Sequence, residues 1–134
     1  MEFIVHASGS AGNLYRVISG DQSLIIDPGI PIAKIKRALK FKLSGVSGAL
    51  ISHSHGDHSK GVKEVARAGI SCYMTQPTAA ALKINGHRVK IFEPLKQFDI
   101  DIFSIIAFPT QHDCAGSVGF LICDGTDKLL FVSD

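Results

Sequence analysis

Several features that mark large classes of protein are missing from this chain of 134 residues. It has only three cysteines and no CxxC pair, which argues against a disulfide framework and favours a reducing compartment. Its longest apolar runs, such as 103–108, are too short to cross a bilayer, and no basic segment leads into a long apolar stretch at the N-terminus. We therefore expect a cytoplasmic protein that does not interact with membranes.

Neither positive nor negative charge predominates in the sequence. The formal net charge is +2, too small to indicate nucleic-acid binding by itself. Hydrophobic residues make up 46% of the chain and charged residues 19%, which is typical of a globular protein. The length suits one domain over residues 1–134. No internal repeat and no low-complexity linker divides it.

Short apolar segments alternate with helical patterns in the first part of the chain, and hairpins dominate later. This mixture predicts an α/β domain, a mixed sheet with flanking helices, rather than a purely parallel sheet. The predicted strands include Phe3–Val5, Leu14–Ile18, Leu24–Ile26, Ala49–Ile51 and Ile70–Met74, and a hairpin of Ser117–Cys123 with Lys128–Ser133.

Two helices can be placed from spacing. The first carries apolar residues at Ile32, Ile35, Leu39 and Leu43, surrounded by basic residues from Lys34 to Lys42. These basic side chains are either a solvated helix face or a surface for a polyanion. The second helix runs through Val62, Val65 and Ala66, with Ser59 as its cap and Gly69 at its end.

The segment 8–13, Ser-Gly-Ser-Ala-Gly-Asn, has two interpretations. Its small residues and glycines predict a turn between the first two strands. A glycine loop can also bind phosphate through backbone N–H groups, but the full P-loop pattern is absent.

The chemistry centres on the run from His53 to His58, which reads His-Ser-His-Gly-Asp-His directly after an apolar strand. Imidazole and carboxylate are ligands that Zn²⁺ prefers. In an extended loop the side chains of His53 and His55 project to the same side and can bind one ion together. Asp57 and His58 follow where the chain turns into a helix, so they can bind a second ion.

This run resembles the HxHxDH signature of the metallo-β-lactamase superfamily. Three further segments are similar to its other motifs: Asp27 at a strand end, His112 after Thr110-Gln111, and Asp134 at the end of the last strand. The segment 8–13, and His112-Asp113 followed by Gly119-Phe120, resemble the bacterial and phage branch related to YycJ/WalJ/VicX. The resemblance implies the N-terminal αβ half of an αββα sandwich.

The resemblance also implies roles. His53, His55 and His112 would bind the first metal, Asp57 and His58 the second, and Asp134 would bridge them. Asp57 would also act in catalysis by orienting the nucleophile, and Asp27 would hold the ligand loop from the second shell. Zinc is the expected ion, with manganese and iron as alternatives. Cys114, two residues after His112, is either an ordinary thiol or a group that approaches the metal.

The implied function is a metal-dependent hydrolase that uses a metal-activated water. When complete, it would be a phosphodiesterase or nuclease, and its substrate would be a nucleic acid or another phosphoester. The alternative is a non-catalytic metal-binding half-domain that self-associates or complements a partner. Redox chemistry at two irons is a third reading.

The chain departs from the superfamily pattern because it stops after the fourth motif and lacks the usual final histidine. We therefore expect the monomer to be weakly active or inactive. We also expect an uncovered apolar sheet face to drive formation of a homodimer. The residues expected on that face include Ile100, Ile102, Ile105, Phe120, Leu121, Leu129 and Phe131.

Overall fold

The computed structural model describes residues 1–111 and 113–133. The first sheet has strand order β1-β2-β3-β4-β5-β6; β1, β2 and β3 pair antiparallel, and β3 to β6 pair parallel. The strands are β1 (Glu2–Ala7), β2 (Leu14–Ser19), β3 (Gln22–Ile26), β4 (Val46–Leu50), β5 (Cys72–Met74) and β6 (Val89–Ile91). The helices are α1 (Ile32–Ala38), α2 (Gly56–Ser59), α3 (Val62–Arg67) and α4 (Gln76–Leu82).

The second sheet is antiparallel throughout, in the order β10-β9-β8-β7. Its strands are β7 (Phe98–Ile100), β8 (Phe103–Pro109), β9 (Val118–Cys123) and β10 (Lys128–Phe131). The expected α/β fold, a mixed sheet with flanking helices, is confirmed. The expected hairpin at the end of the chain is present as β9 and β10.

Two apolar clusters hold these layers together, one on each face of the first sheet. Side chains alternate between the faces of a strand, so Ile25 packs on the helix side while Leu24 and Ile26 face the second sheet. Phe103 and Phe120, both fully buried, supply the second sheet's side of that interface. The first sheet is therefore covered on both faces.

Cys72 lies within the helix-side cluster, and burial raises the pKa of its thiol to about 12. It is consequently a small core residue and not a reactive group. Among the described residues, no helix is long and apolar enough to span a bilayer.

Three details of the sequence prediction are wrong. Helix α1 ends at Ala38 and does not reach Leu43, because Lys40 and Phe41 adopt left-handed backbone angles, with φ of 53° and 61°. The second predicted helix is present as α3, but Ser59 does not cap it. Ser59 instead ends the short helix α2, and its hydroxyl donates to the carbonyls of Ser54 and His55.

The third error concerns the uncovered sheet face. Ile100, Ile105, Phe120 and Phe131 are buried between the two sheets rather than exposed, since the second sheet packs this face on the first. The outer face of the second sheet is formed by the alternate residues of its strands. Ile106, Leu121 and Leu130 are neighbours there across three strands, and Leu130 is 66% exposed.

Candidate metal centre

The candidate site forms where the central strands of the first sheet end. β3 leads into Asp27 and β4 leads through Ile51 and Ser52 into His53. These two strands are parallel and adjacent, so their carboxyl ends deliver both segments to the same edge. The sequence that follows each strand is polar, and the folding of β3 against β4 is what brings Asp27 and His53 together.

Asp27 is fully buried and anchors the loop that follows β4. Its Oδ1 accepts the backbone N–H of Ser52 at 2.7 Å, and its Oδ2 accepts the Ser52 hydroxyl at 2.6 Å. The same Oδ2 lies 2.9 Å from Nδ1 of His58. Asp27 adopts a left-handed backbone conformation with φ of 53°, which aspartate tolerates better than most residues. One carboxylate therefore fixes both ends of the histidine run.

The hydrogen bonds assign the protons on two of the imidazoles. The Ser52 hydroxyl gives its hydrogen to Asp27, so it accepts the Nδ1–H of His53 at 2.8 Å. His58 likewise donates its Nδ1–H to Asp27. Both rings then carry a lone pair on Nε2, the form in which neutral histidine binds a metal.

The three imidazoles of the run converge. The ring centroid of His53 lies 4.3 Å from that of His58 and 5.1 Å from that of His55. His53 and His58 are only 1% and 3% exposed, whereas the side chain of His55 is 42% exposed. The cluster thus has a buried base and a side that is open to solvent.

The carboxylate of Asp57 lies beside this cluster. Its Oδ2 is 3.7 Å from Nε2 of His58, and its side chain is 31% exposed. Helix α2, which begins at Gly56, carries both Asp57 and His58. The carboxylate reaches both the imidazole cluster and solvent.

A second group of ligand-type side chains lies next to His55. Its Nε2 is 3.4 Å from Oδ1 of Asp113, and one ligand atom from each of His55, Asp113 and Cys114 lies within 4.8 Å of the others. The hydroxyl of Ser54 is 3.7 Å from the Cys114 sulfur. The thiol of Cys114 therefore lies beside the histidine run.

Asn13 is a site residue that the sequence analysis did not single out. It is 4% exposed, and its side-chain N–H₂ group donates to the Asp57 carbonyl at 2.9 Å and approaches Nε2 of His58 at 3.2 Å. Its backbone N–H donates to the same carbonyl at 2.8 Å. The loop before β2 is therefore more than a turn, because it holds the start of α2. The position of an asparagine at the end of a glycine loop is the only sequence signal for this contact.

Gly29 allows the loop after β3 to approach the start of α2 closely. A Cβ atom at this position would lie 1.9 Å from the carbonyl oxygen of Asp57, so no other residue fits without displacing α2. Ser52 was also missed. Its role depends on the contact between β3 and β4, which a reading of either segment alone does not provide.

Two of the predicted ligands, His112 and Asp134, lie outside the described residues. Residues near them approach the site: Asp113 contacts His55, and the hydroxyl of Ser133 is 3.3 Å from that of Ser52. The described residues bring together His53, His55, Asp57, His58 and Asp27. One ligand atom from each of Asp27, His53 and His58 lies within 4.8 Å of the others, and imidazoles with carboxylates are donors of the kind that bind zinc and similar divalent ions.

Comparison with known proteins gives related sequences of greater length. "Exodeoxyribonuclease YycJ" from Bacillus anthracis is 29% identical over 147 aligned positions, which span 100% of this chain and 54% of that protein. "Exodeoxyribonuclease WalJ" from Streptococcus pneumoniae is 29% identical, over 84% of this chain and 46% of that protein. The chain spans about half the length of the curated relatives it matches.

Solved structures share the fold. The metallo-β-lactamase fold protein YhfI from Bacillus subtilis superposes with a TM-score of 0.75 and 20% identity, over 96% of this chain and 57% of that chain. A B3 metallo-β-lactamase with an active-site glutamic acid superposes with a TM-score of 0.73 and 21% identity, over the same shares of the two chains. The family model of the metallo-beta-lactamase superfamily matches residues 7–134. The chain belongs to the metallo-β-lactamase superfamily.

Proposed function

We propose that this chain is a metal-dependent phosphodiesterase that acts on nucleic acid, with its centre in the run from His53 to His58. The observation that carries the proposal is the convergence of three imidazoles and the Asp57 carboxylate above the buried Asp27. The names of the two curated relatives support nucleic acid as the substrate class. The cytoplasmic location inferred from the cysteine count is a further part of the proposal.

His53, His55 and His112 would hold the first divalent ion, Asp57 and His58 would hold the second, and Asp134 would contribute to both. Zinc is the ion that this nitrogen-rich donor set favours. When bound, the ions would lower the pKa of a water molecule and offset negative charge on the scissile phosphate.

The chain's own residues prepare this site. Asp27 and Ser52 hold the Nδ1 protons of His58 and His53, which directs both Nε2 atoms to the centre. Asp57 combines a position beside His58 with access to solvent, so its carboxylate can accept a hydrogen bond from the attacking water and orient it. Asn13 keeps Asp57 and His58 at the start of α2 in place.

A hydrolysis assay with Asp57→Asn tests this function. We expect the chain to cleave a labelled oligodeoxynucleotide only when Zn²⁺ or Mn²⁺ is present, and weakly as a monomer. The substitution should reduce the rate by about 10²-fold or more, because it removes the carboxylate that orients the water. Hydrolysis of a β-lactam such as nitrocefin serves as the control and should be absent.

The competing function, a metal-binding half-domain without catalysis, gives a different result. A chain that binds metal but cleaves no phosphodiester at any protein concentration would establish that function instead. Cleavage that persists in excess chelator would contradict both.

We also propose that two copies of the chain associate through the outer face of the second sheet. Ile106, Leu121 and Leu130 form an apolar row across β8, β9 and β10, and β10 is an edge strand of its sheet. A row of this kind can meet its own copy across a two-fold axis, which buries the same apolar side chains on both partners. Leu130 is 66% exposed, so association with a second copy would remove its apolar side chain from water.

Light scattering at micromolar concentration, with a matched pair of variants, measures this association. We expect a mass of twice 14.3 kDa for the wild type and a shift to the monomer in Leu130→Lys. Leu95→Lys is the control, since Leu95 is 71% exposed but lies outside the row. A wild type that remains monomeric, or a Leu95→Lys variant that dissociates equally, would show that this face is not the interface.

A further inference from the structure

A basic groove runs along the helix side of the molecule. Its larger part is an open cavity of about 410 Å³ between α3 and the segment that follows α4. Four cationic side chains line it: Lys63, Arg67, Lys83 and Arg88. All four are exposed, and no acidic residue is found among the described residues that line the cavity.

The groove continues to the metal loop. A second cavity of about 340 Å³ shares Lys63 and Ile84 with the first, and Ser54 and Gly56 line its other end. Ser54 and Gly56 belong to the run from His53 to His58. The two cavities therefore meet at Lys63 and Ile84 and extend from the loop segment of Ser54 and Gly56 to Arg88, and the described lining of the second also lacks an acid.

The local structure explains why the charges face the same way. Lys63, Ala66 and Arg67 are three and four positions apart on α3, so their side chains share one face of that helix. Lys83 ends α4 in a left-handed conformation with φ of 54°, which turns the chain toward His87 and Arg88. The two basic segments consequently border one groove from opposite sides.

Two further charges lie beside this set. Glu64 lies with Lys36 and Arg67 around a depression on the adjacent face of α3, so it is a neighbour of one of the four cations. Lys60 lines the second cavity, and its ammonium group donates to the carbonyl of Ala11 at 2.9 Å. The groove therefore keeps a net positive charge, to which Lys60 adds at the end nearer the histidine run.

We propose that this groove binds the phosphate backbone of a nucleic-acid strand whose scissile bond lies at the metal loop. The inference rests on the proposed function, since it names the path of that substrate. Helix α3 has six residues and is about 9 Å long, and it forms one wall of the groove over that length. A row of exposed cations beside a cleft can follow such a backbone without reading its sequence.

Binding of fluorescein-labelled oligothymidylates, measured by anisotropy in buffer with EDTA, tests the groove separately from hydrolysis. We expect the double variant Lys63→Gln, Arg88→Gln to bind a nine-nucleotide strand at least 10-fold more weakly than the wild type. Its affinity should also fall less steeply with salt, because fewer counterions are released on binding.

The matched control is Lys34→Gln, Arg37→Gln, which removes the same two charge types from exposed positions of α1. It should change affinity by less than about 2-fold, and it tests whether the basic residues of 34–42 are the polyanion surface. Equal weakening by both double variants, or full affinity in the groove variant, would overturn the proposal.

The dependence of affinity on oligonucleotide length distinguishes a groove that binds several phosphates from a site that binds a single anion. Affinity should increase from a three-nucleotide to a nine-nucleotide strand, and inorganic phosphate should compete poorly with either. If inorganic phosphate displaces the nine-nucleotide strand at similar concentrations, the groove holds one phosphate and not a strand, and the inference is wrong. Because EDTA prevents metal-dependent cleavage, a chain that never hydrolyses DNA can still pass or fail this test.

Discussion

Purified chain in which His53 and His55 are both replaced by alanine is expected to contain no bound transition ion after dialysis, whereas the wild type retains zinc. Loss of a single residue that only orients a ligand typically weakens metal binding by about 10–100-fold. The double variant removes two of the three imidazoles that converge in the described site, so the loss should exceed that range. Elemental analysis of the two proteins measures the result.

Two controls separate metal binding from folding. His55→Gln changes a side chain that is 42% exposed, so it should weaken metal binding while the chain remains folded in EDTA. His87→Ala removes an exposed histidine outside the run and should leave the metal content unchanged. A double variant that keeps zinc at the wild-type ratio would show that the ion binds elsewhere.

Asp27→Ala is expected to produce the largest loss of stability of any single substitution at the site. Asp27 accepts hydrogen bonds from the Ser52 backbone, the Ser52 hydroxyl and His58, all in a fully buried position. Removing the acceptor leaves these buried donors without it, for which we expect a cost of about 3–5 kcal/mol. That is a large fraction of the roughly 5–15 kcal/mol that stabilises a typical domain. Urea unfolding in EDTA measures it without a contribution from metal.

The Asp27→Asn variant separates the effect of the carboxylate charge from the effect of the left-handed backbone conformation at position 27. Asparagine also tolerates the left-handed conformation at position 27 and keeps one acceptor oxygen, so it should cost less stability than alanine. It should still weaken metal binding by about 10–100-fold, because one donor of Ser52 or His58 loses a carboxylate partner. An alanine variant within about 1 kcal/mol of the wild type would mean that Asp27 does not anchor the loop.

The sequence was sufficient to single out the run from His53 to His58 as the candidate site because its information is local. Three histidines and an aspartate lie within six positions, and the apolar strand before them and the turn into α2 after them both occur as predicted. The α/β class also followed from local patterns. The boundaries of α1 did not, since nothing in the spacing of Leu39 and Leu43 shows that Lys40 and Phe41 take left-handed angles.

Features that depend on distant residues could not be predicted in this way. Asn13 and Asp57 are 44 positions apart, and only the folded chain places one against the other. The alternation of Phe103, Ile105 and Ala107 predicts an apolar face for β8. It does not reveal that this face packs on the first sheet, which is why the expected uncovered face was assigned to the wrong residues. The basic groove likewise depends on how α3 approaches the segment after α4.

Anomalous diffraction from a crystal of the zinc-loaded chain, recorded just above and just below the zinc absorption edge, tests the central claim most directly. We expect a peak among the imidazoles of His53, His55 and His58, at the zinc–nitrogen distance of about 2.0–2.1 Å from at least two Nε2 atoms. Peaks found only at other places, such as the exposed His87, with none within coordination distance of the run, would contradict it.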